Sequence, residues 1–383
     1  MEYSMTNKSF IPLVLVTSLL LGARTSAQTS ANPDLSFIAR FIVDTQDGKR
    51  LAAGVREFSR PDLRFEELEF IAQSYLNPFA KGTVVLTLSG PDVELAKLGL
   101  EELYADVVRG LPLDLNLRVG KYRAEFGKFN TMHPHAWQFV TQPLSHEVFF
   151  GEEGLNELGI SLSALLPTGD IATKLSFDVL RGNTIGEASG IEDTTDATPW
   201  YSNAARLTSF FPMGDESDLE LGLSAYTGIH DPYNRERFFY ANLDFKYKWK
   251  PSSYTSLTIQ GEYLLNKRTA LMSRDFIKFT DERGEPLKKH LTTSGLFLLA
   301  DYQFLKSYSI GTRYDWSQTP YSAEDQAQAI SFFFGYYPVE ETLGMRLHYQ
   351  HTKRELPNAP TESVNYIGLQ FLFSLGPHKA HPF

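Results

Sequence analysis

The amino-acid sequence predicts an all-β protein, and more narrowly a transmembrane antiparallel up-and-down β-barrel of about 16 strands. Three observations lead to this prediction. Apolar and polar side chains alternate along most of the chain, the alternating segments number sixteen, and the connections between them are in turn short and long. A period of two places apolar side chains on one face of a strand, whereas a helix would scatter the same residues around its axis.

The N-terminal residues are typical of an export signal rather than of the fold. Lys8 precedes an apolar run over 11–22, and small residues at 25–27 resemble a cleavage site. We therefore expect a signal peptide at 1–27 and an outer-membrane barrel over 28–383. No later segment has the 18 or so consecutive apolar residues that a membrane-spanning helix needs.

The composition narrows the class further. The chain has 36 basic and 46 acidic residues, and this acidic balance argues against a nucleic-acid partner. It has no cysteine, so neither disulfides nor thiolate metal sites can hold it together. An exported chain of this length must then depend on an extensive hydrogen-bonded fold.

The clearest strand signal is FYANLDFKYKW, at residues 239–249. One face of this segment carries Phe239, Ala241, Leu243, Phe245, Tyr247 and Trp249, and the other carries Tyr240, Asn242, Asp244, Lys246 and Lys248. Comparable alternation predicts strands near 35–43, 64–76, 82–89, 98–109, 113–123, 157–166, 170–181, 202–211, 219–228, 237–249, 254–265, 291–304, 308–317, 327–337, 342–352 and 363–375.

The connections fall into two alternating classes. The short ones include 77–81, 110–112, 167–169, 250–253 and 338–341, and the longer ones include 44–63, 124–156, 182–201 and 266–290. Short periplasmic turns and longer extracellular loops are typical of outer-membrane barrels, which also pair every backbone group of their strands. A large soluble all-β protein is the alternative, but aromatic residues near strand ends, such as Trp249, Tyr308 and Tyr336, favour the membrane barrel.

Several segments carry a resemblance to a known family. The segment LNLRVGKYRAEFGKFN, at 115–130, resembles the strand-plus-loop signature of Gram-negative porin-like barrels related to the phosphate-selective porins. The segments at 32–41, 127–137 and 369–383 are similar to a subgroup described as zinc-regulated TonB-dependent outer-membrane receptors.

The resemblance implies a place in the outer membrane of a Gram-negative bacterium. Its implied partners are outer-membrane lipid and lipopolysaccharide, the barrel assembly machinery and small hydrophilic solutes, with a homotrimer by analogy to sixteen-stranded porins. TonB-dependent transporters, however, have 22 strands and a plugged lumen. A first strand near Leu35 leaves no room for a plug, so we expect a passive channel.

Selectivity in such a channel depends on the side chains that face the lumen. Strand parity assigns to the lumen the basic residues Arg40, Arg118, Lys174, Arg206, Lys246, Lys248, Arg313 and Arg346. It assigns there the acidic residues Glu67, Glu69, Asp106, Asp114, Asp178, Glu220, Asp244, Glu262, Asp301 and Asp315. Eight cations against ten carboxylates do not make the anion ladder that phosphate selectivity would need.

The segment 124–156 is the longest predicted loop and the expected constriction loop. The expected pore residues are Arg118, Lys121, Arg123 and Lys128 on one side and Glu147, Glu152 and Glu153 on the other. Facing charges of this kind would set up a transverse field across an eyelet. The alternative is a solvated rim with surface charges of both signs. Phe126, Phe129 and Trp137 are expected to anchor the loop to the inner wall.

Histidines in the same loop suggest a metal site. His133 and His135, completed by His146 or Glu147, offer imidazole and carboxylate ligands suited to zinc. The alternative is a packed loop without a ligand, because Pro134 excludes a helical pairing of the two histidines. No other cofactor is expected.

Three functions remain open, and catalysis is not expected. No G-x-S-x-G elbow occurs, and His348 has inward parity, away from the lipid face on which outer-membrane lipid hydrolases carry their site. We expect passive diffusion of small hydrophilic solutes or ions through a loop-narrowed lumen. Metal uptake and a structural barrel without transport are the alternatives.

Overall fold

The predicted fold class is confirmed by a computed structural model, which describes residues 33–47, 61–90, 93–182, 184, 201–231, 236–271, 273–274, 277–278, 288–339, 342–357 and 360–376. Within these residues the chain forms a closed antiparallel barrel of sixteen strands. The expected signal peptide at 1–27 lies outside the described residues, as do parts of the long loops. No helix among the described residues is long and apolar enough to cross a bilayer.

Every predicted strand is present. The barrel strands are β1 Asp34–Gln46, β2 Asp62–Asn77, β3 Ala80–Ser89, β4 Lys97–Val107, β5 Asn116–Arg123, β6 Asn156–Leu166, β7 Ala172–Leu180, β8 Ser202–Pro212, β9 Ser217–Asp231, β10 Glu236–Ser252, β11 Thr255–Leu271, β14 Lys288–Phe304, β15 Tyr308–Thr319, β16 Ser322–Val339, β17 Leu343–Glu355 and β18 Glu362–Leu375. The loop between β11 and β14 carries a small hairpin of β12 Ser273–Arg274 and β13 Ile277–Lys278. The segment between β5 and β6 carries the helix α1 Leu144–Phe150 and two 3-10 turns, Phe129–Thr131 and Pro134–Ala136.

Closure occurs between the first and last strands. β1 pairs with β18 from Phe37 opposite Leu375 to Gln46 opposite Tyr366. The sheet therefore has no free edge, which is the condition for strands to stand in lipid with their backbone groups paired.

The distribution of polarity is the reverse of that in a soluble protein. On β10, Leu243 is 60% exposed on the outer surface, whereas its neighbour Asp244 is 2% exposed inside. Leu223, Leu298 and Leu347 on other strands are also about half exposed. An outer surface of this kind is suited to hydrocarbon rather than water, as in outer-membrane barrels.

Strand ends differ from the prediction in two ways. β11 and β14 extend beyond the expected bounds into the long loop, and β16 begins at Ser322, so the predicted loop 318–326 is a tight turn. At the other rim, β5 begins at Asn116 because Leu113 and Asp114 have positive φ angles of 59° and 52° and belong to a 3-10 turn. Asp114 is exposed in that turn, so its predicted place on the lumen wall is wrong.

Candidate functional site

The segment between β5 and β6 is hydrogen-bonded to the inner wall where it leaves β5. The backbone N–H of Gly127 donates to Ser224 Oγ on β9 at 3.1 Å, and that of Phe129 donates to Glu262 Oε1 on β11 at 2.5 Å. Lys128 Nζ donates to Glu220 Oε2 at 2.7 Å. Gly127 has φ +70°, and a Cβ there would lie 2.5 Å from Glu262 Oε2, so glycine permits this close approach.

Aromatic side chains hold the segment in the way expected. The Phe126 ring lies 6.0 Å from that of Tyr226 on β9, and the Phe129 ring lies 5.8 Å from that of Phe297 on β14. The Trp137 ring lies 5.0 Å from that of Phe129 and is tilted by 30° from it. Phe126, Phe129 and Trp137 are each no more than 7% exposed. Their predicted packing against the wall is confirmed.

The middle of the segment is attached farther along the wall, at β15 and β17. Arg313 Nη1 on β15 donates to the carbonyl oxygen of Thr141 at 2.6 Å, and Thr141 Oγ1 donates to Gln350 on β17 at 2.6 Å. Arg346 Nη2 on β17 donates to the carbonyl oxygen of His135 at 3.3 Å. Inward side chains along the wall from β9 to β17 therefore hold the segment at 124–155, which we call the lumen loop.

Two cavities adjoin the lumen loop. The loop-side chamber, of about 270 Å³, faces the rim of the long loops and is lined by Arg40, Arg64, Glu66, Glu67, Glu101, Arg123, Glu147, Glu152 and Glu153 among others. The turn-side chamber, of about 520 Å³, faces the rim of the short turns and is lined by Glu102, Arg118, Arg123, Glu125, Lys128, His133, Lys174, Arg206 and Glu220 among others. Arg123 lines both chambers.

The basic residues of the turn-side chamber are paired with carboxylates. Arg118 donates to both oxygens of Asp106 at 2.7 and 3.1 Å, and its guanidinium lies 4.1 Å from the Tyr104 ring centre. Arg206 donates to both oxygens of Asp244 on β10 at 2.5 and 2.8 Å. Lys174 pairs with Glu125 of the lumen loop. Charges in a crowded interior need such partners, and the pairing leaves no ladder of free cations here.

The other residues predicted to face the lumen also lie on the inner face. Arg40 contacts Glu67 at 2.6 Å, and Arg313 contacts Asp315 at 2.7 Å. Arg346 donates to Tyr337 Oη at 3.0 Å. Lys246 is buried, and Lys248 is half-buried two residues along the same face.

The four predicted basic pore residues are not brought together. Arg123 lies in the loop-side chamber with the three predicted glutamates. Its Nη2 donates to Glu101 Oε1 at 2.5 Å and its Nη1 to the carbonyl oxygen of Glu153 at 2.9 Å. Arg118 and Lys128 line the turn-side chamber instead.

Lys121 is a correction to the predicted pore set. On β5 it stands opposite Leu103 and Leu158, which are 48% and 56% exposed on the outer surface. Its Nζ donates to the carbonyl oxygen of Leu100 at 2.7 Å. Residues opposite one another across a sheet share a face, so Lys121 faces lipid rather than the lumen.

The predicted histidine set is also divided. His133 Nδ1 lies 3.1 Å from Glu69 Oε1 and 3.3 Å from Glu101 Oε1, and His135 Nδ1 lies 2.6 Å from Glu69 Oε2. His146 Nε2 contacts Glu262 on β11 at 2.9 Å. The residues around His133 are therefore glutamates of β2 and β4, not His146 or Glu147.

The charge on His133 depends on these neighbours. Burial lowers its pKa, but the carboxylates of Glu69, Glu101 and Glu102 outweigh burial and hold the pKa well above the usual value for histidine. Without another cation at this place, His133 is a positive charge among three negative ones.

Glu101 and Glu102 are the main residues that sequence reasoning missed. Both are buried inside although they are neighbours on β4, because the pairing with β3 shifts by one residue between Val85 and Leu86. Such a bulge re-aims side chains. The sequence contains a signal of it, since the apolar positions on this strand change from even, at Leu98, to odd, at Leu103.

The comparisons with known proteins support this architecture. No family model matches the chain. An uncharacterized protein of Aquifex aeolicus (strain VF5) is 27% identical over 318 residues, which cover 74% of this chain and 63% of that relative. This chain thus matches less than two thirds of the relative's length.

Solved structures with a similar fold are outer-membrane proteins. The outer membrane channel DcaP of Acinetobacter baumannii has a TM-score of 0.60 at 13% identity, covering 92% of this chain and 99% of that one. An anion-selective porin from Comamonas acidovorans has a TM-score of 0.58 at 10% identity, covering 90% and 100%. The trimer form of OmpT of Vibrio cholerae has a TM-score of 0.55 at 7% identity, covering 90% and 99%. In fold the chain is a porin-like outer-membrane barrel.

Proposed function

We propose that the protein is a channel in the outer membrane of a Gram-negative bacterium, through which small hydrophilic solutes or ions diffuse passively past a narrowing lumen loop. One observation carries the proposal. Two chambers lined by charged side chains lie on the two sides of the loop, and both reach Arg123. A path for polar solutes needs a lining of charged side chains, whereas a purely structural barrel has no need of one.

The loop-side chamber favours cations. Its lining includes six carboxylates against three guanidinium groups, the acids being Glu66, Glu67, Glu101, Glu147, Glu152 and Glu153 and the bases Arg40, Arg64 and Arg123. Excess negative charge in a confined entrance raises the local concentration of cations. We therefore propose cation preference, opposite to the preference in the name of the Comamonas porin.

Planar-bilayer recording tests the proposal. The refolded protein should open channels, and a gradient of KCl should give a reversal potential of the sign expected for cation selectivity. The double variant Glu152→Gln, Glu153→Gln should move that potential toward zero, because it removes two negative charges from the loop-side chamber; both side chains are exposed, so we expect the variant to fold as the parent does. The double variant Arg118→Ala, Arg123→Ala removes two positive charges from the lining. It should therefore move the reversal potential further from zero, toward stronger cation selectivity.

Lys121→Ala is the matched control, since Lys121 lies on the outer face and should leave the potential unchanged. A protein that is folded but opens no channel would exclude this function and favour a structural barrel. A trimer, the form named for the Vibrio protein, is proposed for the assembled channel, and native mass spectrometry in detergent tests it.

A further inference from the structure

Three side chains from separate elements converge between the two chambers. Glu69 of β2, Glu101 of β4 and His133 of the lumen loop each place one potential ligand atom within 4.8 Å of the others. His133 Nδ1 lies 3.1 Å from Glu69 Oε1 and 3.3 Å from Glu101 Oε1. Two donors bound tetrahedrally to one zinc ion, at about 2.0–2.2 Å each, are about 3.3–3.6 Å apart. The two distances from His133 Nδ1 are at or just below the lower end of that range, so a small outward movement of the side chains would admit a shared cation.

Two of these atoms lack hydrogen-bond partners among the described residues. The Glu69 side chain is 3% exposed, and its Oε1 accepts no hydrogen bond there. His133 Nδ1 is likewise buried without a hydrogen bond, although it lies 3.1 Å from Glu69 Oε1 and 3.3 Å from Glu101 Oε1. A buried carboxylate oxygen that accepts no hydrogen bond is costly, even beside a charged neighbour. A cation between the two atoms would satisfy both.

The surrounding groups orient the three side chains as outer ligands do in metal sites. Glu102 Oε2 lies 3.3 Å from His133 Nε2, which directs Nδ1 toward the cluster. His135 Nδ1 contacts the second oxygen of Glu69 at 2.6 Å. Arg123 donates to Glu101 Oε1 from Nη2 at 2.5 Å and from Nε at 3.1 Å, which fixes the position of the Glu101 carboxylate and leaves the lone pairs of its other oxygen for a metal. In metal sites, carboxylates commonly contact the ring nitrogen of a ligand histidine that does not bind the metal, and so fix the orientation of that histidine.

We propose that Glu69, Glu101 and His133 bind one divalent transition-metal cation, with Zn²⁺ as the best fit. One imidazole nitrogen and two carboxylate oxygens suit zinc, whereas magnesium requires octahedral oxygen ligands. Three protein ligands leave a fourth position open. Glu101 lines the loop-side chamber and His133 the turn-side chamber, so a cation can reach the site from the lumen. This ligand set differs from the one expected from the sequence, in which His146 or Glu147 completes a site with His133 and His135.

Metal binding is measured on the full chain refolded in detergent micelles, by equilibrium dialysis against Zn²⁺ with metal analysis of the protein. We expect one Zn²⁺ per chain. Glu69→Gln and His133→Gln should abolish stoichiometric binding, and Glu102→Gln should weaken it about 10- to 100-fold, the usual effect of losing an outer partner. His290→Gln is the control, because His290 is exposed on β14 and should bind as the parent does.

Cobalt provides a second measurement that does not depend on any variant. Co²⁺ bound by the unaltered protein should give the intense visible bands of four-coordinate cobalt, and Zn²⁺ should displace them. Heat-dependent migration in SDS gels checks that each variant is folded. Absence of stoichiometric binding, or binding that survives in folded Glu69→Gln and His133→Gln, would overturn the proposal in favour of a protonated His133 paired with glutamates. Neither measurement requires conduction, so this outcome is separate from that of the channel experiment.

Discussion

At the scale of single residues, Glu262 joins the lumen loop to the wall. Its carboxylate accepts the backbone N–H of Phe129 at 2.5 Å and the side-chain amide of Asn242 at 3.0 Å, and it contacts His146 at 2.9 Å. It is 4% exposed. One buried carboxylate thus satisfies groups from β10 and from two parts of the loop.

Glu262→Ala should lower the free energy of unfolding by about 2–4 kcal/mol, because it leaves several buried polar groups without their partner. Urea unfolding in lipid vesicles measures the change, and increased cleavage of the loop by added protease should accompany it. Glu324→Ala is the matched control, since Glu324 is exposed and its loss should cost less than about 0.5 kcal/mol. Equal stability of the two variants would show that the loop does not depend on Glu262.

Lys121 permits a test of the outer face. Its replacement by Leu should increase stability by up to about 1 kcal/mol near the interface, where a lysine facing lipid is mildly unfavourable. The same urea titration measures this gain. Lys250→Leu, at an exposed position at the turn end of β10, should give little change. A loss of stability in Lys121→Leu would instead indicate a polar environment around this residue.

Strand parity predicts which side chains face the lumen but not what they contact. It placed Arg206 and Asp244 inside correctly, because a period of two holds along β8 and β10. It missed the burial of Glu101, because one extra residue at a bulge reverses the parity beyond it. The partners of His133 also escaped prediction, since Glu69 of β2 lies 64 residues earlier in the chain, and only the path of the lumen loop along the inner wall brings His133 near it.

At the scale of elements, the lumen loop separates the two chambers. It is held in that position by its contacts with the inner wall and is not part of the wall itself. It leaves and rejoins adjacent strands, because Arg123 of β5 pairs with Asn156 of β6 and the Ala124 N–H donates to the carbonyl oxygen of Leu155 at 2.9 Å. The barrel wall is thus complete without the loop. Its existence as a long connection was evident from the sequence, but its path was not, because that path depends on contacts with distant strands.

Excision of residues 126–153, with the ends joined by an Asn-Gly turn, should leave a folded barrel with a much larger single-channel conductance. The two chambers would merge, and the paired strand ends can accept a tight hairpin. Planar-bilayer recording measures the conductance, and heat-dependent migration in SDS gels checks the fold. An unchanged conductance would mean that ions do not pass through the region that the loop occupies.

At the scale of the whole molecule, the polarity of the two surfaces and the closure of the sheet are linked. Leucines such as Leu243 and Leu347 are stable on the outside only if that side meets lipid. In lipid, every backbone group of the strands must be paired within the protein, so the sheet must also close. Both properties follow from the alternation of apolar and polar residues in the sequence, so the fold could be predicted. The strand ends could not, because water replaces lipid there and the alternation no longer constrains the chain.

Closure can be tested by removing the last strand. A chain that ends at residue 361 lacks β18 and would leave β1 and β17 with unpaired edges in the bilayer, at a cost of several kcal/mol for each unsatisfied group. We expect it not to refold into lipid vesicles, as judged by loss of heat-dependent migration in SDS gels and of protease protection. A chain that ends at Gly376 retains all sixteen strands and should refold as the full chain does. Folding of the shorter chain would require β1 to pair directly with β17, which would make a smaller barrel in which Phe41, opposite Phe371 in the full chain, has a new partner on β17.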